Sequence, residues 1–169
     1  MTKIVPVLLI ALIVFSFFSF CTKEDEKNQL AMQEKSIDQF IKSDTTAAKS
    51  KNKDTVIIVT HKKETNRIVW NPAVGDTLAP GDTVYFSYIA RIFNSGKGAI
   101  FADSYCRNVV GNGYFIPGLD AGLIGMRVKE YAYVLFTSQY GYGNKEISIV
   151  PKMSPLMFEV EIKNIDKKK

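Results

Sequence analysis

The chain has 169 residues, of which 46% are hydrophobic and 23% charged, and its formal net charge is +5 at pH 7. This length suits one domain with an extension. The basic residues are mixed with acidic ones along much of the chain, whereas a nucleic-acid-binding protein concentrates positive charge on one face, so we expect no nucleic-acid partner. One histidine and two cysteines are too few for a zinc site or a catalytic triad, and we expect no metal and no cofactor.

The first 20 residues have the composition of a secretory signal. One charged residue, Lys3, precedes an almost unbroken apolar run that ends at Phe20, which is the order of a charged n-region and an apolar h-region. Hydrophilic sequence follows Cys21 directly, and this resembles a bacterial lipoprotein signal, in which the cysteine is lipidated and becomes the first residue. Phe20 departs from that pattern, which usually has a small residue there. The run is also at the short end of what crosses a bilayer, so a retained membrane helix is the alternative.

Residues 21–54 are predicted to be a lipidated polar tether. A short helix is possible there, with an apolar stripe that Glu34 interrupts and that consists of Leu30, Ile37, Phe40 and Ile41. Residues 43–54 carry no long apolar side chain, which indicates a flexible spacer. The start of the tether, residues 22–26, resembles the surface-export signal of some Gram-negative lipoproteins, and an ordinary solvated acidic segment is the alternative. With Cys21 lipidated, Cys106 has no internal partner and is expected to be a buried structural thiol.

Residues 55–169 are predicted to form the folded domain, and they begin with a β-hairpin. A short apolar strand over residues 55–60 and a second strand over residues 67–70 flank a turn at residues 62–66. His61 lies next to this turn, directly before Lys62 and Lys63, and we expect it to be a solvated turn residue. No nucleophile or acidic partner is placed to work with it.

Three further strands and one helix are predicted in the body of the domain. Apolar and polar residues alternate over residues 83–93, 128–138 and 156–163, which is the period of a strand with one packed face. Between them, Pro117 is typical of a first helical position and Gly125 of a helix end. Residues 119, 123 and 126 give this helix an apolar stripe. One short helix against several antiparallel strands predicts the α+β class.

Six segments resemble the FKBP-type peptidyl-prolyl isomerases in order and approximate spacing. They are residues 75–84 (GDTLAPGDTV), 86–88 (FSY), 98–101 (GAIF), 115–123 (FIPGLDAGL), 140–143 (YGYG), and Pro151 with 156–162 (LMFEVEI). Together they extend over roughly residues 68 to 165. The resemblance implies an FKBP-like fold, in which an antiparallel sheet wraps on one short helix.

The resemblance also implies the site. Catalytic pocket positions fall on Tyr88, Phe101, Ile116, Tyr142 and Phe158, and substrate-binding positions on Phe115, Leu119, Val150 and Asp103. The backbone N–H of Ile116 and the hydroxyl of Tyr142 would hold peptide carbonyls. Leu119 replaces a tryptophan that many members have at the pocket floor. Ala102 stands where an aspartate is usual, with Asp103 one place late, where strand alternation turns it to the opposite side. Cys106 lies near the position of an aromatic wall residue.

The function that the resemblance implies is that of a peptidyl-prolyl cis-trans isomerase that assists the folding of exported proteins. Its partners would be proline-containing polypeptides, and the membrane through a lipid anchor at Cys21. We expect a monomer in a bacterial cell envelope, lipid-anchored to the outer membrane on its periplasmic or surface face. One alternative is a catalytically weak binding or chaperone module. Another is a component of envelope machinery, because the chain is similar to the gliding-motility-associated isomerase lipoproteins.

Overall fold

The computed structural model describes residues 5–52 and 57–169, with side chains described from residue 23 onward. In chain order the elements are α1 (Val5–Lys51), β1 (Ile58–His61), β2 (Asn66–Asn71), β3 (Thr83–Phe93), β4 (Lys97–Val109), α2 (Pro117–Leu123), β5 (Tyr131–Phe136), a 3-10 turn (Ser138–Tyr140) and β6 (Leu156–Asp166). The predicted signal peptide and the lipidation of Cys21 fall outside the described side chains. Among the residues whose side chains are described, no helix is long and apolar enough to cross a membrane.

The six strands form one antiparallel sheet in the order β1-β2-β5-β6-β3-β4. Successive side chains of a strand point to opposite faces of the sheet. Phe158, Val160 and Ile162 of β6 therefore lie on one face, the packed face, where they are at most 4% exposed. The predicted α+β class is confirmed, and the antiparallel sheet with the short helix α2 has the architecture that the resemblance implies. The edge strand β4 was not predicted as a continuous strand.

Helix α2 lies on the packed face of the sheet, directly over β5. It begins at Pro117 and ends before Gly125, whose φ of +87° favours glycine, as the sequence predicts. Two glycines allow the close approach. A Cβ atom on Gly118 would lie 2.2 Å from the ring of Phe136, and one on Gly122 would lie 2.2 Å from Val134. The helix backbone therefore rests on the side chains of β5.

The hairpin of β1 and β2 is bonded to the end of α2. The Lys62 ammonium donates to the carbonyls of Ala121 (2.7 Å) and Ile124 (3.0 Å), and the Arg67 guanidinium donates to those of Gly122 (2.8 Å) and Ile124 (3.0 Å). The last carbonyls of a helix have no partner within it and carry a partial negative charge, so cations stabilise them. The hairpin thus fixes the position of α2.

Helix α1 differs most from the prediction. Residues 43–51, predicted to be a flexible spacer, continue the helix. Ile37 is fully buried and Ile41 is 4% exposed. They pack against the other face of the sheet, in a cluster that we call the outer core and that consists of Ile37, Ile41, Ile68, Phe93, Leu135 and Met157.

The physical reason for this difference lies in the strands. Leu135 and Met157 occupy the face of β5 and β6 opposite to α2, and neither is exposed. These central strands are therefore buried on both sides, and their outer face supplies the apolar partner that a helix needs for stability. An interrupted stripe on α1 is sufficient, because only residues near Ile37 and Ile41 face the sheet.

Candidate active site

Aromatic rings gather around Phe158 on the packed face of the sheet. The ring centroid of Phe158 lies 5.9 Å from that of Tyr88, 6.0 Å from that of Phe101 and 5.8 Å from that of Phe136. Tyr142 contacts Phe101 edge to face at 6.4 Å. Phe158 is 4% exposed, whereas Tyr88, Phe101 and Tyr142 are half-buried. Phe158 is thus the buried base of an aromatic cluster, which we call the aromatic pocket, and the half-buried rings of Tyr88, Phe101 and Tyr142 surround it.

Ile116 supplies a hydrogen-bond donor at the N-terminal end of α2. It precedes α2 in an extended conformation, with φ −59° and ψ 144°. Its carbonyl accepts from the N–H groups of Leu119 and Asp120, both at 3.0 Å. Its own N–H donates to no acceptor in the described part of the chain. Its half-buried side chain packs against the same core cluster as the pocket rings, so this N–H is available to a ligand carbonyl.

The hydroxyl of Tyr142 is a second available donor. It makes no hydrogen bond to the residues that the structure describes. Burial raises its pKa, as burial also raises the pKa of Tyr88. Both hydroxyls therefore stay protonated at neutral pH, and the Tyr142 hydroxyl can donate to a substrate carbonyl.

Three of the predicted substrate-binding residues support the pocket from below or beside it. Leu119 is 5% exposed and Val150 1% exposed, so both belong to the core under the site. Phe115 is half-buried, with its ring 5.6 Å from that of Phe86. Phe136 was not predicted to be a site residue, although its ring stacks on that of Phe158 with an interplanar angle of 20°. Alternation along residues 128–138 was the available signal for it.

Asp103 lies outside the pocket, contrary to its assignment as a substrate-binding residue. The register of β3 and β4 shifts between the pairs Ala90↔Ala102 and Arg91↔Ile100. This β-bulge leaves Phe101 without a direct partner, and both Phe101 and Ala102 pack against the core. Asp103, opposite Ile89, then points to the other face and is exposed. The strand contributes a methyl group to the pocket where the resemblance predicts a carboxylate.

Cys106 stands opposite Phe86 on the packed face of β4. Its thiol is half-buried rather than fully buried, and burial raises its pKa. A thiol is smaller than an aromatic ring, so this side of the pocket has a lower wall. Within residues 23–52 and 57–169, no three His, Cys, Asp or Glu side chains come together as a metal site would require.

The chemistry of the pocket follows from what its walls contain. The walls are aromatic or aliphatic, and the groups available to a ligand are neutral donors, among them the N–H of Ile116 and the hydroxyl of Tyr142. No residue with an ordinary pKa near 7 takes part. Such a site can bind an apolar segment and orient its carbonyls, and it does so without transferring a proton.

Comparison with known proteins agrees with this geometry. The model of a family described as FKBP-type peptidyl-prolyl cis-trans isomerase matches residues 75–163, just over half of the chain. FK506-binding protein 2 of Aspergillus oryzae is 35% identical over 91 residues, which cover 51% of this chain and 66% of that protein. Peptidyl-prolyl cis-trans isomerase FKBP9 of Mus musculus is 31% identical over 87 residues, covering 48% of this chain and 15% of that protein. The chain thus spans less than two thirds of the length of either relative.

Solved structures show the same fold. The N-terminal domain of FKBP42 from Arabidopsis thaliana has a TM-score of 0.59 at 22% identity and covers 65% of this chain and 93% of that one. The structure of the three FKBP domains of wheat FKBP73 has a TM-score of 0.59 at 22% identity, and the match covers 68% of this chain and 52% of that one. The sequence match includes the strands and the helix that form the aromatic pocket, and the chain belongs to the family of FKBP-type peptidyl-prolyl cis-trans isomerases.

Proposed function

We propose that this chain is an active peptidyl-prolyl cis-trans isomerase that acts on exported polypeptides while anchored to the cell envelope by a lipid on Cys21. The observation that carries the enzymatic part is the pocket floored by Phe158, with the free N–H of Ile116 and the free hydroxyl of Tyr142 at its side. The anchoring part rests on the apolar run that ends at Cys21.

The geometry fits the physics of rotation about an Xaa-Pro bond. Amide resonance gives the C–N bond partial double-bond character and a barrier of about 18 to 20 kcal/mol. A bond twisted through a right angle has lost that resonance and is less polar than the planar amide. A water-poor aromatic pocket therefore favours the twisted state, and donors that orient the neighbouring carbonyls add to this preference.

A second candidate is a binding or chaperone module with weak catalysis. The residues of β4 that follow Phe101 favour this candidate. Ala102 takes the pocket position of the expected aspartate, Asp103 faces away, and Cys106 replaces a larger wall residue. A lower, less polar wall would hold proline-containing segments with less control over their carbonyls.

Two substitutions separate these candidates. The assay uses the full chain in a mild detergent and follows cis-to-trans conversion of a short peptide with an apolar residue before proline. Tyr142→Phe removes one hydroxyl and should cost about 0.5 to 1.5 kcal/mol, or up to about tenfold in rate. Phe101→Ala should cost more, because it opens the pocket to water as well as removing contact area. Tyr105→Phe, 80% exposed and on the outer face, is the matched control and should keep full activity.

The outcomes are distinct. Acceleration by the wild type that falls in both pocket variants, with circular dichroism unchanged, supports the enzyme. A folded wild type that binds the peptide without accelerating its isomerisation at micromolar concentration supports the binding module instead. A chain that neither binds nor accelerates would refute both.

The anchor has its own test. In a Gram-negative host the wild type should incorporate labelled fatty acid and partition into detergent. Cys21→Ser should abolish the labelling. Labelling that persists in this variant would contradict the lipid attachment, and a host membrane fraction that retains unlabelled protein would favour an uncleaved apolar anchor.

A further inference from the structure

Gln33 of helix α1 bridges two distant points of the chain. Its side-chain oxygen accepts from the backbone N–H of Ser138 at 2.8 Å, and its side-chain nitrogen donates to the carbonyl of Met153 at 2.8 Å. The partners fix the orientation of the amide, because the reversed amide would place donor against donor and acceptor against acceptor. Gln33 is half-buried and Ser138 is fully buried, so these bonds are partly shielded from water.

These two points are the ends of the loop that carries the pocket tyrosine. Residues 137–155 connect β5 to β6, and they include Tyr142 and Val150. Inside the loop, the N–H of Gly143 donates to the carbonyl of Ser138 at 2.8 Å, and the N–H of Met153 donates to the carbonyl of Gly143 at 2.9 Å. With Gln33, these contacts make a closed ring of hydrogen bonds through Ser138, Gly143 and Met153.

Tyr142 directly precedes Gly143, which is a member of this ring. Much of the remaining loop is exposed, from residue 144 to residue 149. Its tip is held locally by mutual backbone bonds between Ile147 and Val150, at 3.0 and 2.9 Å. The ring therefore links the tyrosine end of the loop to α1, in addition to the packing of Tyr142 against Phe101, and Gln33 is the side chain that closes it.

The position of Gln33 is itself fixed by the burial of α1. Ile37 lies one turn further along the helix, in the outer core, and Ile41 a turn beyond it. The hydroxyl of Ser36 also lies 3.1 Å from that of Ser95 in the turn between β3 and β4. The helix cannot shift along the sheet without moving these residues, so it presents Gln33 to the loop at a defined place.

We propose that Gln33 is a positioning residue for Tyr142, which makes α1 part of the active unit rather than a spacer alone. Its bonds to both ends of the loop hold the Tyr142 hydroxyl at the distance that a bound peptide carbonyl requires. This inference rests on the proposed isomerase function.

The test compares two glutamines on the same helix in the full chain in detergent. Gln33→Ala should lower kcat/KM about three- to tenfold, the scale of one or two net hydrogen bonds. Gln39→Ala is the matched control, because Gln39 is exposed and should leave activity unchanged. Gln33→Glu keeps an acceptor for Ser138 but turns a carboxylate oxygen toward the carbonyl of Met153, so it should not restore full activity.

A double-mutant cycle shows whether Gln33 acts through Tyr142. If it does, Gln33→Ala should have little further effect in a chain that already carries Tyr142→Phe. The inference would be overturned if the activity losses of Gln33→Ala and Tyr142→Phe added fully in the double variant. It would also be overturned if the Gln33→Ala and Gln39→Ala variants were equally active.

Amide hydrogen exchange separates this inference from the enzymatic proposal. The N–H of Ser138 should exchange faster in Gln33→Ala than in Gln39→Ala, whether or not the chain is an active isomerase. If the wild type shows no catalysis, the isomerase proposal fails alone. The positioning role is then judged from peptide affinity, which should be weaker in Gln33→Ala and unchanged in Gln39→Ala. Unchanged exchange at Ser138 would refute the role of Gln33 in either case.

Discussion

Replacement of Ile37 by alanine should destabilise the whole domain, although residue 37 lies in the segment that the sequence predicts to be a tether. Its side chain is 0% exposed and lies in the outer core with Phe93, Leu135 and Met157. Removing buried methyl and methylene groups loses their transfer free energy and leaves a cavity that the neighbours fill only partly.

The expected magnitude comes from that burial. Isoleucine-to-alanine substitutions at buried sites cost about 2 to 5 kcal/mol. We expect about 2 to 3.5 kcal/mol here, because a helix on a sheet can settle toward the gap more easily than a strand inside the sheet. Met32→Ala is the control on the same helix. Met32 is 71% exposed, so its truncation should change the free energy of unfolding by less than about 0.5 kcal/mol.

The chain supplies its own probe for the assay. Trp70 is the single tryptophan, it packs against the outer core, and its ring contacts that of Tyr133 at 5.2 Å. Urea unfolding of the full chain in detergent, followed by Trp70 fluorescence, therefore reports the docking of α1. Ile37→Ala should lower the urea midpoint or expose Trp70 at a lower urea concentration than in the wild type. Identical curves for Ile37→Ala and Met32→Ala would refute the docking of α1.

Two further predictions concern the packed face and the C-terminus. Gly118→Ala should cost about 1 to 3 kcal/mol of stability in urea unfolding and should lower activity, since its Cβ would collide with the ring of Phe136, and an unchanged urea midpoint would contradict this contact. The carboxylate of Asp82 accepts hydrogen bonds from the side chain of Lys167 and the backbone of Lys168, which lower its pKa to about 2. Because this pKa is below that of the unfolded chain, its stabilisation is present at neutral pH and is lost as pH falls from about 4 to about 2. Melting temperatures between pH 2 and 7 should show this loss in the wild type but not in Asp82→Asn, and parallel curves would contradict it.

The packed face of the domain could be predicted from sequence because its signals are local. Alternation along β6 gives a strand with Phe158 on the packed face, and Pro117 and Gly125 mark the ends of α2. The family motifs likewise point to Phe158 and to the three rings that surround it, Tyr88, Phe101 and Tyr142. Each of these signals lies within about a dozen residues of the chain.

The features that were missed depend on contacts between distant segments. The burial of Ile37 requires the outer face of β5 and β6, which lie about 100 residues away in the chain. The spacing of apolar residues along α1 carries no information about whether that distant face is apolar. The bond between Gln33 and Ser138 joins residues 105 positions apart. The exclusion of Asp103 from the pocket follows alternation, but the placement of both Phe101 and Ala102 on the core side depends on a bulge set by pairing with β3.

One NMR experiment tests on the same sample whether the aromatic pocket binds proline and whether it accelerates the isomerisation of the Xaa-Pro bond. Exchange between the cis and trans forms of a proline peptide is measured with the full chain in detergent, and the chemical shifts of the protein are followed during the titration. We expect the protein to speed the exchange and the shift changes to centre on Phe101, Ile116 and Tyr142. Exchange at the uncatalysed rate, or shifts confined to the outer face near Tyr105, would contradict it.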